Sequence, residues 1–254
     1  VLADRIVELG ARSRSLAVLA AIHVALGAVF LCAVPLDSTL VLGIDRWIKP
    51  AKFAISIALY LGTIAWLLPA TGVSGVRRDR LVFVVGFTMV VEMVAIAMQA
   101  WRGTSSHFNI ATLRDALTFN AMGMAILVNS IANVLLCVGA FRQLRTTPSA
   151  YQAGVAYGFA IFLVGCAVGG IMVGANAHTI GAADGGPGLP LVNWSSIAGD
   201  LRISHFTGMH ALQVLPLIGA AAGRRGVYVV ATVWCVVTLA LLLQALLGHP
   251  MLAR

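Results

Sequence analysis

The stretch LVFVVGFTMVVEMVAIAMQAW, residues 81–101, decides the fold, because its 21 residues hold one ionisable side chain, Glu92, and no proline. A run of about 20 apolar residues crosses a hydrocarbon core of roughly 30 Å at a helical rise of about 1.5 Å per residue. In lipid such a run must be a helix, since every backbone N–H and C=O has to find its partner inside the segment.

Six further runs of the same character lie near residues 16–34, 51–70, 117–140, 155–178, 203–222 and 227–247. Together they predict an all-α fold, a polytopic membrane bundle of about seven transmembrane helices. The composition agrees. Of 254 residues, 60% are hydrophobic and 10% charged, whereas a soluble domain has about 25% charged residues; the mean hydropathy is +0.95. Residues 1–15, with Leu2, Ile6, Val7 and Leu9 set among charges, predict a short interfacial amphipathic segment, and residues 16–254 a single transmembrane domain.

A formal net charge of +8 would raise the question of nucleic acid in a soluble protein. Here the basic residues stand in short clusters between apolar runs, where they set orientation and meet anionic headgroups. The expected partners are membrane lipids and the subunits of a membrane complex, with no nucleic acid. Ten of the seventeen basic residues fall on the side of the N-terminus, which predicts a cytoplasmic N-terminus and an outer C-terminus. Cys32, Cys137, Cys166 and Cys235 all sit inside apolar runs without CxxC spacing, as packing residues do. In the fifth run Gly154/Gly158, Gly165/Gly169 and Gly170/Gly174 are each four apart, a spacing that lets helices approach closely. Pro216 interrupts the sixth run. The longest connection, about residues 179–202, carries GAADGGPGLP and is expected to be an outer loop serving as a lid, a partner site or a flexible link.

The costly polar residues gather toward one end of the bundle. Glu92 and Gln99 in the third run lead into Arg102, His107 and Asn109; Asp115 and Asn120 open the fourth; His178 ends the fifth; Asp200, Arg202, His205, His210 and Gln213 open the sixth. Ionisable groups inside a membrane mark function by default. His205 and His210 are five apart, about 140° around a helix, so the HExxH type of zinc motif is absent and ligands would have to converge from several helices. Ser106-His107-Phe108 and Ser204-His205-Phe206 echo each other, an arrangement that would set His107 and His205 across a shared site if it marked a parallel repeat.

RGTSSHFN (102–109), DLRISHFTGMHALQ (200–213) and WIKPAKF (47–53) resemble segments of a family of bacterial multi-pass membrane proteins. The resemblance implies a bacterial inner-membrane location and carries no activity. The seven-helix hydrolases related to ceramidases and adiponectin receptors also hold zinc through membrane histidines, but their closely spaced histidine pair on the last helix is missing here. Retinal binding is excluded, because the only lysines, Lys49 and Lys52, lie at the head of the second run.

The leading expectation is a membrane redox or metalloprotein in which His107, His178, His205 and His210 hold haem or a transition metal near the outer leaflet. Gln213 would line that site, and Arg102, Arg202 or Lys52 would meet haem propionates. Three alternatives stand beside it: a proton-coupled transporter relaying through Glu92; a metal-dependent lipid hydrolase or isomerase with Asp115 or Asp200 as general base; and a non-catalytic subunit of a membrane complex.

Overall fold

The computed structural model describes residues 13–252. The predicted interfacial segment lies, but for its last residues, outside them. Seven long helices follow in order: α1 Arg14–Ala33, α2 Ile48–Leu67, α3 Gly75–Trp101, α4 Leu113–Thr146, α5 Ala150–Ala175, α6 Leu201–Ala221 and α7 Gly223–Leu246. Two minimal antiparallel pairs lie in the connections, β1 Leu40–Val41 with β2 Ile44–Asp45, and β3 Thr179–Ile180 with β4 Gly199–Asp200. The first pair turns on Leu42 and Gly43, both at positive φ (52° and 78°), as a two-residue hairpin requires.

Six segments are long and apolar enough to cross a membrane: Arg14–Leu36, Ile48–Thr71, Gly75–Trp101, Leu113–Thr146, Ala150–Ala175 and Gly223–Leu246, with mean hydropathies of 1.8 to 2.5. The expected seventh, α6, is 21 residues long but is not among them. Arg202, two histidines and a glutamine dilute its apolar content. Large apolar side chains such as Val24, Val29, Phe83, Val94 and Val236 are more than half exposed. Lipid-facing helices present such surfaces, and a soluble monomer rarely does so over large contiguous patches.

The chain forms two compact units, one of residues up to Pro69 with Val73–Ala132, the other of Ala70–Gly72 with Asn133–Arg254. In the first, α1 packs on α2 and α2 on α3, around Leu16, Ala54, Leu61, Ile64, Val85 and Ile96, each at most 1% exposed. Trp47, at the head of α2, stacks on Phe30 with ring centroids 5.7 Å apart and donates through Nε1 to Asp37 at 3.1 Å. Arg46 pairs with the same carboxylate and donates to the Trp101 carbonyl at 3.1 Å, so the ends of α1, α2 and α3 are stapled together. Trp47 is therefore a packing residue, while Trp101, 73% exposed, faces outward as an aromatic belt would have it.

In the second unit α5, α6 and α7 pack on one another. The glycine spacing of the fifth run has a direct counterpart in the α5/α6 contact. A β-carbon on Gly165 would lie 2.8 Å from the Met209 nitrogen, and one on Gly208 would lie 2.7 Å from the Gly165 α-carbon. Gly170 and Gly174 meet nothing within 4 Å, so only part of the glycine pattern serves helix packing. Ser149 caps α5 by accepting from the Gln152 amide at 3.0 Å, and the Gln152 side chain donates to the carbonyls of Ala70 (2.5 Å) and Ala140 (3.2 Å), fixing the turn between α4 and α5.

Candidate functional site

Glu92 stands nine residues before the end of α3, about 14 Å along the axis at 1.5 Å per residue. It is 2% exposed. A carboxyl group at that depth needs a partner, and the partner comes from the irregular connection that follows the helix. That connection folds back along α3 until His107 Nε2 lies 3.3 Å from Glu92 Oε1. Backbone without helical hydrogen bonds survives at membrane depth only where protein groups satisfy it. Here the Ser105 hydroxyl donates to the His107 carbonyl at 2.9 Å, and Asn109 donates to Thr104 Oγ1 (2.9 Å) and to the Ser105 carbonyl (3.1 Å). Phe108 takes the left-handed conformation at φ 56° that turns the chain outward again.

The His107 ring is held from several sides. Its Nδ1 lies 3.0 Å from the buried Ser106 hydroxyl, and its centroid is 5.5 Å from Phe53, 6.0 Å from Phe108 and 6.5 Å from Phe119. The three rings enclose the imidazole with tilted and edge contacts. Lys49 completes the centre. Its ammonium lies 5.8 Å from the centre of the Phe53 ring, the same ring that packs on His107.

Two helical turns beyond Glu92, Gln99 is fully buried and donates to Asp115 at 2.9 Å. Asp115 also accepts from Arg102 (2.5 Å) and from the Thr112 hydroxyl (2.6 Å); Arg102 donates in turn to Gln99 Oε1. The third run thus carries a line of polar groups from mid-helix to its end, Glu92 with His107 below and Gln99, Arg102 and Asp115 above. Asp115, expected as a general base, and Arg102, expected to hold a cofactor, are committed to each other.

Other buried polar groups of the first unit bond elsewhere: His23 bonds its own helix, through Nδ1 to the Leu19 carbonyl at 2.7 Å. Asn129 accepts from Tyr60 at 3.1 Å and from Thr88 at 3.4 Å.

In the second unit the remaining candidates take separate roles. His178 bonds Asp184 through Nδ1 at 2.5 Å, and the same carboxylate accepts from the amides of His178 and Thr179 and from the Thr179 hydroxyl. Burial opposes the charge of Asp184, yet these hydrogen bonds and the His178 ring hold its carboxyl well below the usual range. Asp200, 2% exposed, caps α6 through the Arg202 amide (3.0 Å), binds the Arg202 guanidinium at 2.9 and 2.6 Å and accepts from the Ser195 amide at 2.7 Å. Arg202 also reaches the Asn193 carbonyl. The long Gly/Pro connection is therefore pinned by an aspartate near each end, with β3 paired to β4 between its two feet.

His205 Nδ1 lies 2.7 Å from the Gly165 carbonyl, and its ring lies where a side chain at Gly169 would press on it, 3.4 Å from that β-carbon. His210 packs on Phe206, centroid to centroid 4.2 Å, and Gln213 stands half-buried three residues further along α6.

Among the described residues no group of three or more His, Cys, Asp and Glu side chains is placed to hold a metal ion. Each of the four histidines expected as ligands has a neighbour within its own unit: His107 a glutamate, His178 an aspartate, His205 a backbone carbonyl and His210 an aromatic ring. The echo of the two Ser-His-Phe triplets is likewise not structural, since the first lies in an irregular connection and the second inside α6.

In the sequence Glu92 and His107 stand fifteen residues apart with no spacing that joins them, and Phe53, Phe119 and Lys49 carry no mark of a site. The signal present for two of them is the spacing in WIKPAKF, where Lys49 and Phe53 are four apart and so lie on one helix face. No family model, no curated protein and no solved structure matches the chain.

Proposed function

We propose that the chain is a proton-coupled membrane transporter in which Glu92 and His107 take up and release the coupling proton. The observation that carries this reading is the 3.3 Å approach of His107 Nε2 to a carboxylate that lies deep in an apolar helix. Such a pair is expensive to build in a membrane and is rarely kept for packing alone. Ser106 on the far nitrogen of the imidazole gives a proton a second station. Gln99, Arg102 and Asp115 offer a polar route to one surface. In this reading α6 crosses the membrane as a seventh span, the N-terminus is cytoplasmic, and the polar route opens to the outer face of a bacterial inner membrane.

The test is proton flux into proteoliposomes driven by a potassium diffusion potential and followed with an enclosed pH-sensitive dye. The native chain is expected to carry a flux that Glu92→Gln and His107→Gln each lower by at least tenfold. A Glu92→Gln protein that folds and conducts protons like the native chain removes the proposal.

A further inference from the structure

A groove of about 320 Å³ runs between the C-terminal half of α3 and the first turns of α4, walled by Val90, Val94, Ala95, Met98, Thr118 and Ala121. On α4, Arg114, Thr118 and Ala121 follow one another at helical spacing, so the guanidinium stands at the head of the face that lines the groove. The one polar wall residue is turned away, because the Thr118 hydroxyl donates to the Arg114 carbonyl at 2.8 Å. The groove therefore offers hydrocarbon along its length.

Its head is different. Arg46, Arg102 and Arg202 each bind an aspartate. The exposed Arg114 guanidinium has no carboxylate partner among the described residues, and its contact is the Met98 sulfur at 3.8 Å. Met98 is itself a groove wall, so cation and apolar slot are contiguous. From Met98 to Val90 the groove descends about 12 Å at 1.5 Å per residue, toward the middle of a hydrocarbon core that is roughly 30 Å thick.

We infer that this groove binds one acyl chain of an anionic phospholipid of the surrounding membrane, with the lipid phosphate on Arg114. Lipid tails are as apolar as the groove walls, so the apolar contact by itself favours no lipid over another. Selection falls to the charge at the head, where one arginine near the headgroup layer is worth about a fivefold preference for an anionic over a zwitterionic lipid. The inference is independent of the proton pair, which lies on another face of α3.

Native mass spectrometry of the full chain, released from micelles holding equal amounts of phosphatidylglycerol and phosphatidylcholine, tests it. The native chain is expected to retain one phosphatidylglycerol with about fivefold preference. Arg114→Gln should remove the preference, Arg114→Lys should keep most of it, and Ala121→Trp, which fills the slot, should lower retention of both lipids. Three results overturn the inference: no preference in the native chain, a preference that survives Arg114→Gln, or a lipid-free dimer that Ala121→Trp abolishes, which would make the groove a contact between two copies of the chain.

Discussion

Asp184 receives four donors on one carboxylate, the amides of His178 and Thr179, the Thr179 hydroxyl and the His178 ring. Asp184→Asn keeps the shape but turns an acceptor-only group into one that must also donate, and it discharges the bonds to His178. Hydrogen bonds to a charged group are worth about 1.5–3 kcal/mol each when broken, so the variant is expected to lower stability by about 2 kcal/mol, read as a fall in melting temperature in detergent at pH 7. The folded carboxyl titrates below its ordinary value of about 4. Its stabilisation is therefore fully present above that value and fades as the pH falls below it toward the folded pKa. The gap between native and Asp184→Asn proteins should close over that acidic range, and a gap independent of pH would remove the charge from the account. Glu92 was legible in the sequence because it is the one ionisable group in a long apolar run. Asp184 was not, because an aspartate among glycines reads as loop composition, and nothing in the spacing says which amides it will collect.

At the scale of elements, the helices were the most legible feature, since each apolar run has one permitted conformation in lipid. Their ends were less so. α4 extends from Leu113 to Thr146, well beyond the apolar run of 117–140, because polar residues at its start and basic residues at its close continue the helix outside the hydrocarbon. The connection that folds back to Glu92 was illegible for a related reason: RGTSSHFN reads as a surface turn, and only its internal hydrogen bonds make depth affordable. The glycine spacing of α5 was read correctly as a packing signal where a partner backbone lies against it. Gly165→Leu is expected to force α5 and α6 apart and to cost at least about 1–3 kcal/mol, the usual range for overpacking. Gly174→Leu, with open space around it, should leave thermal stability near the native value, and equal losses at the two positions would refute the assignment.

At the scale of the whole molecule, the count of crossings fixes where the two ends of the chain lie. Six helices meet the length and hydropathy needed to span, and the function proposed above adds α6 as the seventh, which sets the ends on opposite sides. Alkaline phosphatase fused after residue 252 is expected to be active, and the same enzyme fused in the α3–α2 connection near Gly72 inactive; activity at both places would mean an even number of crossings between them. Membrane class and helix count came from composition and periodicity. The neighbours of the histidines did not, because a sequence says nothing about which way each imidazole turns, and within its own unit each ring has a different neighbour.

His107 is carried by a short coil, and its counterpart Glu92 by a rigid rod. Separating a group borne on coil from its partner requires only that a handful of local bonds, those of Ser105, Ser106 and Asn109, be exchanged, whereas moving the glutamate would drag a span of 27 residues through the bilayer. If the pair exchanges protons as proposed, the moving part of the cycle would be the imidazole, and its tempo would be set by the eleven residues of backbone between two helices.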